Sequence, residues 1–235
     1  PVVTTWRKQN VRPRIYQFVR DKIEEGRQAY VVCPLIEPSE EVDALSAEEV
    51  YRQLNGELLT GCRISLLHGQ LPSEKKEEIM ERFRQGRSDV LVSTTVIEVG
   101  VDVSNASVMV IENAERFGLA QLHQLRGRVG RGEYQSYCIL VARPTTEDAR
   151  KRLEVITGTG DGFEISEEDL KIRGPGEFFG TRQHGIPDLK IASIVRDQDT
   201  VVTARREAED VLAQSGWRKK YPSLKERLEE LKIKH

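Results

Sequence analysis

The chain has 235 residues, of which 31% are charged and 38% are hydrophobic, and its formal net charge at pH 7 is −2. This composition is that of a globular protein with room for one domain plus an appendage, and it excludes a uniformly basic protein that coats nucleic acid. No apolar run approaches the roughly 18 residues of a transmembrane helix, and we expect no signal peptide.

Three cysteines, Cys33, Cys62 and Cys138, lie far apart in the sequence and show no metal-ligand spacing. Each stands in an apolar setting, so we expect buried free thiols in a reducing cytoplasm. The first residue is Pro1 rather than methionine, and we therefore expect a fragment or a processed chain.

Apolar runs and helical patterns alternate along residues 1–144. Short apolar runs that end at turn residues predict strands, and apolar residues at every third or fourth position predict helices. The predicted strands are 29–35, 63–67, 90–92, 108–111 and 136–142, and the predicted helices are 14–25, 47–59 and 73–86, with an acidic loop at 37–49. This alternation predicts an α/β domain, a parallel sheet with helices on both faces.

The pattern changes at Pro144, and residues 145–235 are predicted to form a mainly helical C-terminal segment. Its predicted helices are 146–156, 204–214 and 223–233. Residues 158–197 are rich in glycine and have no long apolar core of their own, so we expect them to pack on another surface. The basic and aromatic turn at 217–221 fits either a contact with nucleic acid or an anchoring tryptophan whose lysine neighbours extend to solvent.

Polar residues follow the third predicted strand, where Ser93, Thr94 and Thr95 come in succession. A loop containing Gly100 and Asp102 then leads to the next strand. In an open parallel sheet, ligands bind at the carboxyl ends of the strands, so the sequence predicts a binding site at this edge.

The most informative segment covers residues 118–131, where helical spacing predicts one apolar and one polar face. The apolar face carries Leu122, Leu125 and Val129, and the polar face carries Gln124, Arg128 and Arg131. Gly127 and Gly130 lie beside the arginines. A glycine inside a helix costs roughly 1 kcal/mol relative to alanine, a cost that is tolerated where another surface must approach the backbone closely. Forked guanidiniums beside bare backbone suit a bidentate grip on phosphate, whereas an ordinary solvated arginine face leaves the glycines unexplained.

Two motifs in this region resemble those of superfamily-2 helicases. HQLRGRVGR is similar to their sixth motif, Q-x-x-G-R-x-G-R, and VSTTVIEVGVDV is similar to their fifth motif. Further along, DLKIRGPGEFFGTRQHG resembles the translocation segment that RecG-type helicases share with the transcription-repair coupling factor. The GTRQ ending and the later IVRD run favour the RecG type.

The resemblance implies that residues 1–144 are the second of two RecA-like domains, between which ATP and Mg²⁺ bind. The phosphate loop and the metal-binding and water-activating carboxylates belong to the first such domain, and neither G-x-x-x-x-G-K-[ST] nor D-E-x-H occurs in this chain. Arg128 and Arg131 are then expected to be arginine fingers on the γ-phosphate. Gln124 is expected to couple the nucleotide to its helix, and Gly100 and Asp102 to lie near the ribose.

The resemblance also implies residues for DNA binding and for coupling. Hydroxyls at the end of the third predicted strand would bind the DNA backbone, a contact that positions a strand without reading its sequence. A glycine-flanked coupling segment would move with the nucleotide state and drag the duplex. The expected DNA-binding residues are Ser93, Thr94 and Thr95, and the expected coupling residues are Arg173, Arg182 and Gln183.

RecG-type helicases remodel branched DNA, such as stalled forks and Holliday junctions, in recombination and repair. The chain is therefore expected to be the C-terminal half of such an ATP-dependent enzyme, and to be inactive alone because it lacks the phosphate loop. Expected partners are branched double-stranded DNA, the first RecA-like domain and an N-terminal DNA-binding domain of the same protein, and single-stranded-DNA-binding protein. A monomeric, nucleoid-associated protein of the bacterial cytoplasm is expected, with no membrane contact and no metal ligands of its own.

Two other functions remain open from the sequence. A translocase on double-stranded DNA that resembles the transcription-repair coupling factor would carry closely similar fifth and sixth motifs. A module that binds DNA or docks on a partner without catalysis would need none of the phosphate-binding residues. A hydrolysis assay on the chain, alone and with the missing half, separates the second alternative from an enzyme.

Overall fold

The described part of the chain contains one sheet of six strands, and every neighbouring pair runs parallel. The structure is a computed structural model that describes residues 1–34, 40–94, 103–173, 198–213 and 216–224. In chain order the strands are β1 (Val3–Arg7), β2 (Gln28–Val32), β3 (Ile64–Leu67), β4 (Val90–Ser93), β5 (Ala106–Ile111) and β6 (Tyr137–Val141). Across the sheet the order is β1-β6-β5-β2-β4-β3, so β2 lies between β5 and β4.

Eight α-helices lie within the described ranges. The first four connect strands of the sheet, the fifth follows β6, and the remaining three belong to the C-terminal part. They are α1 (Arg12–Glu24), α2 (Glu40–Gln53), α3 (Ser73–Arg84), α4 (Leu119–Arg126), α5 (Glu147–Gly158), α6 (Gly162–Arg173), α7 (Gln198–Ala213) and α8 (Trp217–Lys220).

Helices cover both faces of the sheet. Successive side chains of a strand point to opposite faces, so neighbouring residues of β2 report on both. Val31 belongs to a buried cluster with Tyr16 of α1 and Leu54, which directly follows α2. Tyr30 packs on the other face against Phe83 of α3, with ring centroids 5.0 Å apart. Because both faces are covered, the central strands read as continuous apolar runs rather than as alternating ones.

The predicted parallel α/β architecture is confirmed, and all five predicted strands are present. Sequence analysis misses β1, a half-exposed edge strand in which Thr4 and Thr5 interrupt the apolar run. The helix predicted from residue 47 is present, but it begins earlier, so the acidic loop predicted before it is wrong for residues 40–46, which belong to α2. Glutamate is a good helix former and is favoured near a helix N-terminus, so an acidic run need not be a loop.

Glu112 directly follows β5 and is one of two buried charged side chains in the described part of the chain. Its Oε1 accepts hydrogen bonds from Arg12 Nε at 2.6 Å and from Tyr16 Oη at 2.5 Å. Burial, reinforced by the Glu112 charge, raises the pKa of Tyr16 well above its usual value and the pKa of Cys33 to about 12. The chain leaves β2 and β5 in opposite directions, so this cluster sits at the topological switch point of the sheet.

We expect Glu112→Ala to lower the free energy of unfolding by about 3 kcal/mol, because it leaves the half-buried guanidinium of Arg12 and the buried hydroxyl of Tyr16 without their acceptor. Arg12 and Tyr16 would both lose the acceptor that they share. Urea unfolding followed by circular dichroism measures the change. Glu81→Ala, which removes an exposed ion pair with Arg84 on α3, is the matched control and should leave the stability unchanged. Equal stability of the two variants would contradict the expectation.

The chain divides into two compact units, Pro1–Asp169 and Leu170–His235. The first unit includes α5, whose N-terminus is capped by Thr146 through a 3.2 Å bond from the Ala149 amide to Oγ1. The helix predicted at 146–156 is therefore present. A domain boundary between residues 144 and 145 stays a prediction.

In the second unit, α7 contains most of the helix predicted at 204–214. The turn predicted at 217–221 is wrong for its first four residues, which form the short helix α8. Gly216 precedes α8 in a left-handed conformation, with φ of 80°, and its carbonyl accepts the Lys220 amide at 3.3 Å. Most of the helix predicted at 223–233 lies outside the described residues.

Candidate functional site

The hydroxyls predicted to bind a ligand lie at the carboxyl end of β4. Ser93 is the last residue of this strand, Thr94 follows it, and both are buried. Within the described ranges neither hydroxyl has a hydrogen-bond partner. A buried polar group without a partner costs about 1–3 kcal/mol, so two in succession are unusual for residues that only fill a core.

The adjacent strand supplies a third polar group of this kind. His68 directly follows β3, is 8% exposed, and its Nδ1 has no partner in the described part of the chain. The pairing of Leu67 with Ser93 places His68 and Thr94 at the same edge of the sheet. Sequence analysis does not include His68 among the site residues, because a single histidine carries no motif by itself.

Several predicted site residues lie outside the described residues. They are Thr95, Gly100 and Asp102 in the fifth motif, and Arg182 and Gln183 in the expected coupling segment. Arg173 is the last residue of α6, and only its backbone is described. The expectations for all six residues therefore remain predictions.

The sixth-motif segment, residues 118–131, begins as the predicted helix but does not remain one. The first turn of α4 is closed by a 3.0 Å bond from the Gly118 amide to Gln121 Oε1. α4 ends at Arg126, and the following amides of Arg128 and Val129 donate to carbonyls three residues back. The predicted helix through Arg131 is therefore wrong, and so is the helical angle between the arginines. The predicted apolar face is confirmed, since Leu122, Leu125 and Val129 are buried.

The two glycines act differently from the prediction. A Cβ on Gly127 would meet only carbonyls of its own helix, at 3.4 Å or more, so no second surface of the described chain requires this glycine. Gly130 has φ of +87°, and a Cβ there would lie 2.6 Å from Val2 Cγ2. Gly130 is therefore required by a left-handed backbone and by the close approach of the segment before β1, rather than by a surface that lies along a helix.

The predicted phosphate-binding residues of the sixth motif are located on α4 and on the tight turn that follows it. Gln124 is exposed on the last turn of α4, Arg128 is half-buried and Arg131 is exposed. Arg131 Nε donates to the Gly127 carbonyl at 3.0 Å, which ties its guanidinium to the turn. The two arginines are thus three residues apart on a short irregular segment, and Gly130 between them has the left-handed conformation.

Arg126 is the second buried charged residue, and sequence analysis misses it. Its Nη1 donates to the carbonyls of Ile156 at 3.0 Å and Thr159 at 2.7 Å, and its Nη2 donates to the Gly160 carbonyl at 3.3 Å. Burial lowers the pKa of Arg126 from its usual value. The available signal was a charge on the apolar face, because Arg126 follows Leu122 by four residues.

His123 completes this contact. Its Nδ1 lies 2.9 Å from Arg126 Nη2 and must accept, because a guanidinium has only donors. Burial lowers the pKa of His123, and the Arg126 charge adds to the effect. A Cβ on Gly162, the first residue of α6, would lie 3.2 Å from His123 Nε2, so the start of α6 packs closely on this ring.

The donors of the site suit an anion better than a cation. Among the described residues, no group of three or more His, Cys, Asp or Glu side chains could hold a metal ion. Guanidiniums on a glycine-containing turn match phosphate oxygens, whereas Mg²⁺ needs carboxylate and water oxygens.

No helix of the described part is both long and apolar enough to span a bilayer.

Two families match different parts of the chain. Residues 11–133 match the helicase conserved C-terminal domain, and residues 159–235 match the C-terminal part of domain 3 of the ATP-dependent DNA helicase RecG. The ATP-dependent DNA helicase RecG of Synechocystis sp. is 49% identical over 97% of this chain, which spans 27% of that protein. RecG of Bacillus subtilis is 48% identical over 90% of this chain, which spans 31% of that protein.

Two solved structures are similar to this chain, one of a RecG helicase and one of a DEAD-box helicase domain. The structure of RecG bound to a three-way DNA junction aligns with 85% of this chain and 25% of its own, with 48% identity and a TM-score of 0.66. Domain 2 of the DEAD-box helicase Mss116p aligns with 72% of this chain and 68% of its own, with a TM-score of 0.50. Its identity of 17% supports a common fold and nothing more.

Proposed function

The chain belongs to the family of helicase conserved C-terminal domains, of the RecG type, and we propose that it is the C-terminal part of an ATP-dependent helicase that remodels branched DNA. The observation that carries this proposal is the identity of 48–49% to RecG helicases across 90–97% of the chain. The chain spans only about a third or less of these relatives, so the rest of the protein supplies the remaining parts.

In this proposal residues 1–144 are the second RecA-like domain and residues 145–235 are the coupling segment. ATP binds between this domain and a first RecA-like domain, which supplies the phosphate loop and the ligands of Mg²⁺. This sequence contains no phosphate loop, and the cationic turn after α4 would complete a site whose phosphate loop belongs to the first domain. Bound Mg²⁺ would neutralise charge on the β- and γ-phosphates.

The chain's own contribution to hydrolysis is positive charge at the γ-phosphate. Arg128 and Arg131 follow a helix whose other face is locked in the core by Leu122 and Leu125. A rigid support means that little reorganisation is needed when charge develops on the transferred phosphoryl group. Gln124 lies on the same helix, α4, four residues before Arg128. It would couple the nucleotide state to this helix.

The chain's contribution to DNA binding is at the carboxyl end of β4. Ser93 and Thr94 are buried, and no described side chain or backbone group satisfies their hydroxyls. A DNA backbone would supply the missing partners if binding makes these hydroxyls accessible. Thr95 continues this row in the sequence. RecG of known structure is bound to a three-way junction, and we propose branched double-stranded DNA as the substrate here.

Arg182→Ala or Gln183→Ala should abolish unwinding of a model fork while largely preserving DNA-stimulated ATP hydrolysis by the protein reconstituted with its missing half. The reason is that the glycine-flanked segment would transmit motion to the duplex rather than act on ATP. Hydrolysis and unwinding are measured on the same preparation. Parallel losses, accompanied by a lower melting temperature, would identify a passive brace. Failure of the unaltered reconstituted protein to unwind any fork with ATP would overturn the proposed function.

A further inference from the structure

We propose that Tyr134 is a stacking residue for the base of the bound nucleotide. Tyr134 follows the sixth-motif segment, 118–131, by three residues and is 55% exposed. The guanidinium of Arg27 covers one face of its ring, so within the described part of the chain the opposite face is open to a ligand. This inference rests on the proposed function, because it assigns the base of a nucleotide whose phosphate Arg128 and Arg131 contact.

The contact between Tyr134 and Arg27 is close. The Arg27 Cζ lies 3.5 Å from the centroid of the ring, well inside the limit of about 6 Å for a cation–π contact. A ring held on one face by a cation has fewer orientations than a free surface side chain. A base that stacks on the other face therefore has less conformational freedom to remove, and the ring is organised for binding beforehand.

Arg27 is itself held in place by hydrogen bonds. Its Nη1 donates to Asn105 Oδ1 at 2.8 Å, and its Nε and Nη2 both donate to the Glu25 carbonyl at 3.3 Å. Asn105 Nδ2 in turn donates to the Gly26 carbonyl at 3.0 Å and to Gln28 Oε1 at 3.2 Å. Because Gln28 is 4% exposed, these bonds connect the protein core to the exposed ring.

The backbone before Tyr134 touches the segment that leads into β5. A Cβ on Gly132 would collide with the Ser104 carbonyl oxygen, so the close approach of these two backbones requires a glycine. Asp102, which is expected near the ribose, precedes Ser104 by two residues in the sequence. Arg131, Ser104 and Tyr134 therefore correspond, in this order, to the phosphate, the ribose and the base of a nucleotide.

Stacking defines the class of ligand. Every base has a π face, so an aromatic ring accepts a base without reading its hydrogen-bonding edge. The ring is therefore assigned to the base of a nucleoside di- or triphosphate, and it distinguishes a nucleotide from a sugar phosphate rather than adenine from guanine.

A purely structural role for the pair would be to fasten residues 132–136 to the start of β2. That segment has other bonds in the described structure, since the Val3 amide donates to the Ser136 carbonyl at 2.9 Å and Ser136 Oγ donates to the Tyr134 carbonyl at 3.2 Å. Loss of a fastening contact would lower stability and weaken all ligands of the site alike. Loss of a stacking contact would weaken only ligands that have a base.

The experiment compares two competitive inhibitors of DNA-stimulated ATP hydrolysis by the full-length protein, ADP and ribose 5′-diphosphate, which lacks the base. The variants are Tyr134→Ala, Tyr134→Leu and Tyr134→Phe. Leucine keeps an apolar side chain against Arg27 but has no stacking face, so it decides the question if the alanine variant folds poorly. Glu133→Ala is the matched control, because it changes the neighbouring exposed side chain and keeps the ring. Melting temperatures show which variants are folded.

We expect Tyr134→Ala and Tyr134→Leu to raise the inhibition constant of ADP about tenfold, as for the loss of one contact between a base and an aromatic ring. The constant for ribose 5′-diphosphate should not change, and Tyr134→Phe and Glu133→Ala should keep both constants.

The inference is overturned if the folded alanine and leucine variants inhibit normally with ADP, or if both inhibitors weaken by the same factor. Normal ADP inhibition with a lower affinity for single-stranded DNA would also overturn it, and would identify a ring that stacks on DNA bases. Failure of the proposed function would look different, since the unaltered protein would then show no ATP hydrolysis stimulated by fork DNA.

Discussion

Arg128→Ala should lower the ATP turnover of the protein reconstituted with its missing half by about 10³-fold or more, with little loss of nucleotide affinity. An arginine finger acts mainly on charge that develops in the transition state, and its removal in phosphoryl-transfer enzymes has effects of this size. Steady-state hydrolysis with saturating fork DNA gives kcat and KM, and a fluorescent nucleotide analogue gives the binding constant.

Arg131→Ala should also lower ATP turnover, and this variant loses a hydrogen bond within the turn as well as a charge. Arg131 Nε already donates to the Gly127 carbonyl, so its removal also loosens the turn that carries Arg128. Arg131→Lys keeps the charge without that bond. Arg150→Ala, which removes an exposed arginine paired with Glu154 on α5, is the control and should leave kcat unchanged. If either finger variant changed only KM, these arginines would bind the ground state and the assignment would be wrong.

The sheet could be predicted because its central strands are buried on both faces. In β2, β4 and β5 every residue is buried, and such strands give apolar runs that stand out in the sequence. β1 gave no such signal, since an edge strand with two threonines reads like a loop. A strand of this kind becomes evident only from its partner, here β6, to which it pairs from Val3 to Arg7.

The candidate site could be predicted by residue type but not by geometry. The spacing of arginines and glycines in residues 118–131 indicates phosphate binding whether the backbone is helical or not. The turn after the helix contains Gly130, whose left-handed φ is not visible in a periodicity. The last helical residue, Arg126, donates to the Ile156 carbonyl of α5, a contact that no local pattern shows. Long-range polar contacts such as that of Glu112 with Arg12 are likewise invisible to local patterns, because 100 residues separate the partners.

The isolated chain should hydrolyse no ATP above background, with or without fork DNA. Arginine fingers stabilise charge on a phosphoryl group that other residues must already hold, and this sequence has no phosphate loop to hold it. Phosphate release by the purified chain measures this, and adding the upstream half as a separate protein should restore turnover. Restoration would also require Arg128, so the mixture made with Arg128→Ala should stay near background.

This design separates the chain's own chemistry from a contaminating ATPase. A contaminant would hydrolyse ATP equally in preparations of the unaltered chain and of Arg128→Ala. Turnover that depends on Arg128 in the chain alone would instead mean that these residues hold and cleave ATP unaided, which contradicts a site shared between two RecA-like domains. Dependence on both the added half and Arg128 is the result expected if the turn after α4 completes a site that the upstream domain begins.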